Sequence, residues 1–289
     1  MRTGWLRPSW SRYRAVVRPL RDSVRRRRPR APGPRAALAV ALLVLITGLV
    51  ARASNQIVVP QRIRDLVAAP DRSEADRALD AGRHPAELLA FFGISSGMRV
   101  AELGAGGGYT TELLARAVAP GGVVYGQNSP TVLQRFAEKP WSERLARPVM
   151  KDVVRVDREF DDPLPSEARD LDAVFMVLVY HDTVWMKVDR ARMNHAVFQA
   201  LKPGGIYALV DHSARPGTGL GDVQTLHRID EATLRKEIET AGFQLAKDAD
   251  FLRNPEDTRD WNDSPKTAGE RRGTSDRFVL EFVKPKGSR

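Results

Sequence analysis

The stretch that decides the fold is residues 99–118, Arg99-Val100-Ala101-Glu102-Leu103-Gly104-Ala105-Gly106-Gly107-Gly108-Tyr109-Thr110-Thr111-Glu112-Leu113-Leu114-Ala115-Arg116-Ala117-Val118. Its first five residues read as a short strand that runs into glycines. From Thr110 the period changes, and Leu113, Leu114 and Ala117 fall on one helical face. Strand, glycine loop and helix together form the opening unit of an α/β sheet. A dinucleotide fingerprint, G-x-G-x-x-G, started on Gly104 and Gly106 would need glycine at 109, where Tyr109 stands. No lysine follows at the spacing of a phosphate-binding P-loop. The spacing present is acidic-x-G-x-G-x-G, carried by Glu102, Gly104, Gly106 and Gly108.

That spacing has a chemical reading. Glycines at a strand end let the backbone turn through positive φ and pass close to a ligand. The helix that follows points free N–H groups at the same place, which suits a carboxylate. Glu102 beside it suits an ammonium. An amino-acid moiety carries both charges, and the methionyl end of S-adenosylmethionine is such a group.

Working outward, strands and helices alternate. Strands are expected at Val123–Gly126, Val153–Val156, Leu171–Val179, Ile206–Val210, Phe243–Leu252 and Phe278–Val283, with the nearly continuous apolar run from Leu171 marking a strand buried on both faces. Helices are expected at Asp189–Leu201, closed by Lys202-Pro203-Gly204-Gly205, and at Asp230–Ala241 before Gly242. The fold class is therefore α/β: a Rossmann-like, seven-stranded, mostly parallel sheet with helices on both faces. Upstream, Asp71-Arg72-Ser73-Glu74 reads as a helix start and Pro85 as the first turn of a second helix. The expected organisation is an Arg-rich leader at 1–35, an apolar segment at 36–53, a linker with helices at 54–97 and the α/β domain at 98–285.

With these segments in hand, the chain resembles the class I S-adenosylmethionine-dependent methyltransferases. More narrowly, it resembles a bacterial group of predicted methyltransferases that often carry export signals. The residues concerned run from Asp71 to Pro285 and include VAELGAGGGYTTELLARAV, YHDTVW, LKPGG, DHSARPGTG, TLHRIDE, DFLRNPEDTRDW and RGTSDRFVLEFVKP. The resemblance implies that Glu102, Gly104, Ala105, Gly106, Gly108 and Tyr109 line the methionine moiety. It implies that Asn128, at the end of the second strand, meets the ribose and that Asp157 holds the adenine amino group. The pair Gln127-Asn128 departs from the family's pattern, which puts an acidic residue there to bind both hydroxyls; Asn128 offers hydrogen bonds without charge assistance. A nicotinamide dehydrogenase is opposed by Tyr109 and by the same missing acid.

Chemistry in open α/β sheets sits beyond the carboxyl ends of the strands. Three clusters fall there: Tyr180-His181-Asp182, Asp211-His212-Ser213 and Thr225-Leu226-His227-Arg228. Methyl transfer needs a nucleophile held opposite the sulfonium and, for O or N acceptors, a base. His181 is the first candidate base, with Asp182, His212 and His227 as alternatives. Each is also a residue type that caps strands and loops. His181, His212 and Asp211 have ligand chemistry but lack a spaced metal signature, and no metal is expected. His195, in mid-helix, is expected to be structural or solvated. The polar segment Asn254 to Thr274 is longer than ordinary connections and reads as a lid or substrate loop, or as a surface excursion.

Composition narrows the partners. The net charge of +10 comes from the leader, where residues 1–35 hold twelve arginines against Asp22 alone, leaving 34 basic and 35 acidic residues elsewhere. A balanced folded part argues against nucleic acid; the acceptor expected is a small molecule, with a protein as the alternative. No cysteine is present, which excludes disulfides, thiolate metal sites and a cysteine nucleophile. The run 36–51, AALAVALLVLITGLVA, follows the arginines and precedes Ala51-Arg52-Ala53, so 36–53 reads as a secretory signal or as an uncleaved membrane anchor. Either form implies a periplasmic or exported domain. The leader is long enough that Val24 is an alternative start. The function expected is S-adenosylmethionine-dependent methyl transfer. The alternative is an exported, non-catalytic binding module on the same fold. Neither the acceptor nor the oligomeric state is legible here.

Overall fold

The structure is a computed structural model and describes residues 57–287, which lie in one unit, Gln56–Arg289. The segment 36–53 lies outside the described residues, among which no helix is long and apolar enough to cross a membrane.

Three helices open the described chain: α1 Gln61–Val67, α2 Glu74–Arg83 and α3 Pro85–Phe91. Ile63, Leu88, Leu89 and Phe92 are buried in the same apolar cluster as Val100, Leu113, Leu114 and Phe175. The α2 N-cap is Ser73, whose hydroxyl accepts from the Asp76 N–H, so the capping box read from Asp71 is corrected by two residues. α2 ends at His84, held at φ 46°, and Pro85 starts α3 at once.

The sheet follows in the expected order: β1 Arg99–Leu103, β2 Val123–Asn128, β3 Val153–Asp157, β4 Leu171–Val177, β5 Leu201–His212, β6 Gln244–Ala249 and β7 Arg277–Val283. The strand order is β3-β2-β1-β4-β5-β7-β6. β1 to β5 are parallel, and β7 runs antiparallel between β5 and β6. The order reverses between β1 and β4, so the crevice beyond their carboxyl ends is where such a sheet binds ligands. The turn read at Lys202-Pro203-Gly204-Gly205 lies inside β5, where pairing with β4 jumps from Leu171↔Leu201 to Ala173↔Ile206. That irregularity lets the preceding helix hand over directly to the strand.

The remaining helices are α4 Tyr109–Val118, α5 Glu138–Leu145, α6 Asp182–Trp185, α7 Arg190–Ala200, α8 Val223–Leu226 and α9 Glu231–Thr240. Between β2 and β3 the chain forms one helical run from Pro130, with a π turn at Leu133–Ala137 leading into α5. α5 is anchored by Trp141, which is wholly buried. Its ring leaves no room on β2: a Cβ at Gly126 would lie 2.7 and 2.8 Å from the Trp141 ring. Gly126 has no positive φ, so the constraint is purely steric. Gly126→Ala is expected to destabilise by about 1–3 kcal/mol through overpacking, lowering Tm by roughly 3–10 °C. Thermal unfolding followed by circular dichroism checks this, and Trp141→Phe in the same chain should recover part of the loss.

Candidate active site

The glycine loop turns through three residues of positive φ, Gly104, Gly106 and Gly108. Packing alone accounts for two of them. A Cβ on Gly104 would meet the Val179 methyls at 2.7 and 3.0 Å, and one on Gly108 would meet Trp141 and Arg144 at 2.6 and 2.7 Å. Gly106 differs: nothing lies within 4 Å of its Cβ position. Packing therefore requires glycine at Gly104 and Gly108, whereas Gly106 leaves its side open.

The loop is braced from β2. Gln127 Oε1 accepts from the Gly104 N–H at 3.0 Å, and its amide donates to the Arg158 carbonyl at 2.6 Å. Asn128 Oδ1 accepts from the Gly106 N–H at 2.8 Å and its amide donates to the Gly106 carbonyl at 3.1 Å. The Ala105 N–H donates to the Gln127 carbonyl at 2.8 Å. Both amide side chains are fully buried, so Asn128 is spent on shaping the loop. Asp157 is exposed and pairs with Arg155 at 2.9 Å. Arg144 Nε donates to the Gly107 carbonyl at 2.6 Å while the guanidinium pairs with Asp76 and Glu112.

Glu102 is 3% exposed and accepts from the Thr111 hydroxyl. Burial pushes its carboxyl up to about 7, against the opposing hydroxyls of Thr111 and Thr110 and the guanidinium of Arg83. Tyr109 donates to Asp80 Oδ1 at 2.6 Å, and Asp80 pairs with the buried Arg72. Arg83 stacks on the Tyr109 ring at 4.4 Å from its centroid. A small apolar hollow of about 20 Å³ at the start of α4 is lined by Arg83, Tyr109, Thr110, Leu178 and Arg277. Arg83, Leu178 and Arg277 also line a far larger cavity, of about 660 Å³.

Three of the four candidate catalytic residues line that cavity: Asp182, His212 and His227. His181 lies behind them, fully buried. The ring centroids of His181 are 4.1 Å from His227 and 5.4 Å from His212. Three segments far apart in sequence thus converge. His181 Nδ1 lies 2.6 Å from Asp211 Oδ1, and its Nε2 has no hydrogen bond, facing Asp182 Oδ1 at 3.3 Å. Burial pulls the His181 pKa down, but Asp211 and Asp182 outweigh it and raise it to about 10. Burial, aided by the charge of His181, pushes His227 down to about 4. Burial also lowers His212, against Asp263. His212 Nδ1 lies 2.5 Å from Asp263 Oδ2 and 2.9 Å from Ser275 Oγ. His195 is exposed on α7, as expected.

Several residues of the site escaped the sequence. Asp263, Ser264 and Lys266 come from the long segment 254–274, which forms a wall of the cavity. That segment is tied down by Arg228, which is fully buried and binds Asp257. Its length was the only sequence signal. Arg83, Arg272 and Arg277 also face the cavity; Arg272 and Arg277 fall in the RGTSDRFVLEFVKP segment, but nothing in the sequence marked any of the three as a site residue. Among the described residues, the group able to offer three ligand atoms to one ion is His181, Asp182 and His227, rather than His181, His212 and Asp211.

Comparison with known proteins agrees with the fold and the loop. Residues 101–209 match a family model described as a methyltransferase domain. No curated protein matches the chain. Among solved structures, an S-adenosylmethionine-dependent methyltransferase from Aquifex aeolicus superposes with a TM-score of 0.50 at 18% identity, covering 72% of this chain and 96% of that one. The [4+2]-cyclase SpnF also superposes at 0.50, with 16% identity, covering 78% of this chain and 92% of its own. At such identities the likeness is one of fold. Fold and domain match together support the class I S-adenosylmethionine-dependent methyltransferase superfamily. The match of residues 101–209 to the methyltransferase-domain model supports S-adenosylmethionine as the cofactor. The residues present fit its amino-acid end: a buried carboxylate at the end of β1, the open side of Gly106 and the N-terminus of α4. The ribose end lacks the carboxylate common in such folds.

Proposed function

We propose that this domain transfers a methyl group from S-adenosylmethionine to a small anionic acceptor bound in the 660 Å³ cavity. The observation that carries the reading is the charge of that cavity. Four cations line it, Arg83, Lys266, Arg272 and Arg277. Its carboxylates, Asp182 and Asp263, each lie against a histidine. Arg83, Lys266 and Arg272 have no carboxylate partner among the described residues. Arg83, Lys266 and Arg272, gathered on a concave wall without an ion-pair partner, favour an anion, since each charge-assisted hydrogen bond to a carboxylate or phosphate contributes about 1.5–3 kcal/mol.

The bound cofactor supplies an electrophilic methyl group on a sulfonium. The chain's own residues do the rest. Glu102 would hold the ammonium of the amino-acid tail, and Gly106 would let the backbone approach it. Arg83 and Leu178, shared between the hollow at α4 and the cavity, would set acceptor against cofactor. Asp263 orients His212 through Nδ1, leaving Nε2 to take a proton from the acceptor.

Transfer of labelled methyl from S-adenosylmethionine to matched small molecules with and without a carboxylate or phosphate tests the reading. Anionic acceptors should be methylated in preference to neutral analogues. Arg83→Met should raise KM for them roughly tenfold with kcat little changed. Equal turnover of neutral analogues sinks the anionic assignment. Binding of acceptors without any methyl transfer would favour the non-catalytic alternative, which the fold also accommodates: SpnF, built on the same architecture, is a [4+2]-cyclase.

A further inference from the structure

We infer that a single divalent transition-metal ion binds between His181 Nε2, His227 and the Asp182 carboxylate, on the wall of the large cavity.

The strongest observation is an orphaned nitrogen. His181 is fully buried, and its Nε2 has no hydrogen-bond partner. An unpaired polar atom in that setting is destabilising unless something satisfies it. Its state is set from the other side of the ring. Nδ1 lies 2.6 Å from Asp211 Oδ1, which keeps a proton on Nδ1, so Nε2 is the nitrogen left to an ion, which displaces the proton Nε2 carries in the ion-free ring. Asp211 is itself fixed, accepting from the backbone N–H groups of His181 and His212 at 2.8 Å each. A carboxylate behind a histidine whose far nitrogen faces a ligand group is the supporting arrangement of metal-binding imidazoles.

The spacing of the donors matches an ion. One ligand atom from each of His181, Asp182 and His227 lies within 4.8 Å of the others. Asp182 Oδ1 is 3.3 Å from His181 Nε2 and 3.7 Å from His227 Nδ1. Metal–ligand bonds of about 2.0–2.1 Å in tetrahedral array place neighbouring donors about 3.4 Å apart. Asp182 is also oriented, its Oδ1 accepting from Trp185 Nε1 at 2.7 Å. His227 is held at φ 59°, a left-handed conformation that a non-glycine residue adopts only when its surroundings fix it.

Two imidazoles and one carboxylate suit zinc, cobalt, iron, nickel or manganese rather than magnesium or calcium. Three protein ligands leave at least one coordination position open, as in catalytic rather than structural sites. Asp182 and His227 line the cavity, so the open position faces it. There the ion would bind an oxygen or nitrogen of whatever the cavity holds. Metal binding is independent of which acceptor that is, and the measurements below read the ion alone.

The purified full chain, stripped with a chelator, is titrated with cobalt(II) and, separately, with zinc(II). Visible d–d absorption reports cobalt coordination, and calorimetry reports zinc affinity and stoichiometry. One equivalent should bind, with an absorption typical of four- or five-coordinate cobalt. His227→Ala and Asp182→Asn should each abolish the cobalt spectrum while retaining the far-ultraviolet circular dichroism of the parent. Asp211→Asn, removing only the support behind His181, should weaken zinc roughly 10- to 100-fold. Because the chain has five histidines, His84→Ala/His195→Ala serves as the control and should bind as the parent does. No cobalt spectrum in the parent overturns the inference. So does binding that survives His227→Ala and Asp182→Asn, or that is lost in the control.

Discussion

Replacing Glu102 by Gln is expected to weaken S-adenosylmethionine binding roughly 30-fold while leaving the fold intact, as one charge-assisted hydrogen bond worth about 2 kcal/mol is lost. The substitution keeps shape and keeps an acceptor for the Thr111 hydroxyl. What it removes is a carboxylate that the protein makes costly to ionise. Glu102 is pushed up to about 7 from 4.5 by burial, so ionising it costs about 3 kcal/mol more than in the unfolded chain. An ammonium at the end of β1 would repay that cost, which is why cofactor and carboxylate would be coupled. Cofactor binding should therefore strengthen about fivefold from pH 6 to 7, as the ionised fraction grows, with proton release visible by calorimetry in buffers of different ionisation enthalpy. Stability alone runs the other way. A raised carboxyl contributes stability fully present below about pH 4.5 and lost as pH rises through about 7. Glu102→Gln should flatten both dependences and match or exceed the parent's Tm at pH 8. Unchanged affinity in the variant would remove Glu102 from the cofactor site.

Arg228→Ala is expected to destabilise the protein by about 3–5 kcal/mol, the cost of leaving a buried charge without its partner, with Tm falling by roughly 10 °C or more. Arg228 is fully buried and spans two segments of chain. It donates to Asp257 at 2.7 and 3.3 Å, to the Ser213 carbonyl at 3.1 Å and to the Trp261 carbonyl at 3.2 Å. Its guanidinium also lies over the Trp261 ring at 4.6 Å. Without it the Asp257 carboxylate, 1% exposed, loses the cation that pairs with it. The segment 254–274 would then loosen and carry Asp263 away from His212. Activity should suffer beyond the loss of folded protein, seen as reduced kcat at temperatures where the variant is still folded. Combining Arg228→Met with Asp257→Asn should regain part of the stability, because the stranded charge is gone. A Tm change below about 2 °C would show that this pair does not hold the wall.

The fold was largely legible because its signals are local. A strand of alternating or continuous apolar residues, a glycine where φ must be positive and a helix with one apolar face declare themselves within about ten residues. That sufficed to place β1 to β4 and β7 closely, and for the unit that Glu102 and Gly106 define. The expected fifth strand began too late, since Lys202-Pro203-Gly204-Gly205 reads as a turn yet lies within β5. The expected sixth overran, since Phe251 and Leu252 prolong the apolar pattern beyond the last pairing at Ala249. The sequence also marked His181, Asp182, His212 and His227, because all follow strand ends or precede a helix.

Which of those groups would touch was another matter. That His181 backs His227, that Asp263 sits on His212 and that Arg83 reaches the cavity from α2 depend on how distant segments cross, and no spacing along the chain encodes that. The same holds for the glycines, since only the position of Trp141 and Val179 separates Gly104 and Gly108, which packing requires, from Gly106, which opens outward. By itself the sequence determined the α/β architecture, the glycine loop and the candidate histidines and carboxylates. The tertiary structure alone decided their partners, their burial and hence their charge. The physical reason is that backbone preferences act between near neighbours, whereas desolvation and Coulomb interactions depend on distances that only the folded chain creates.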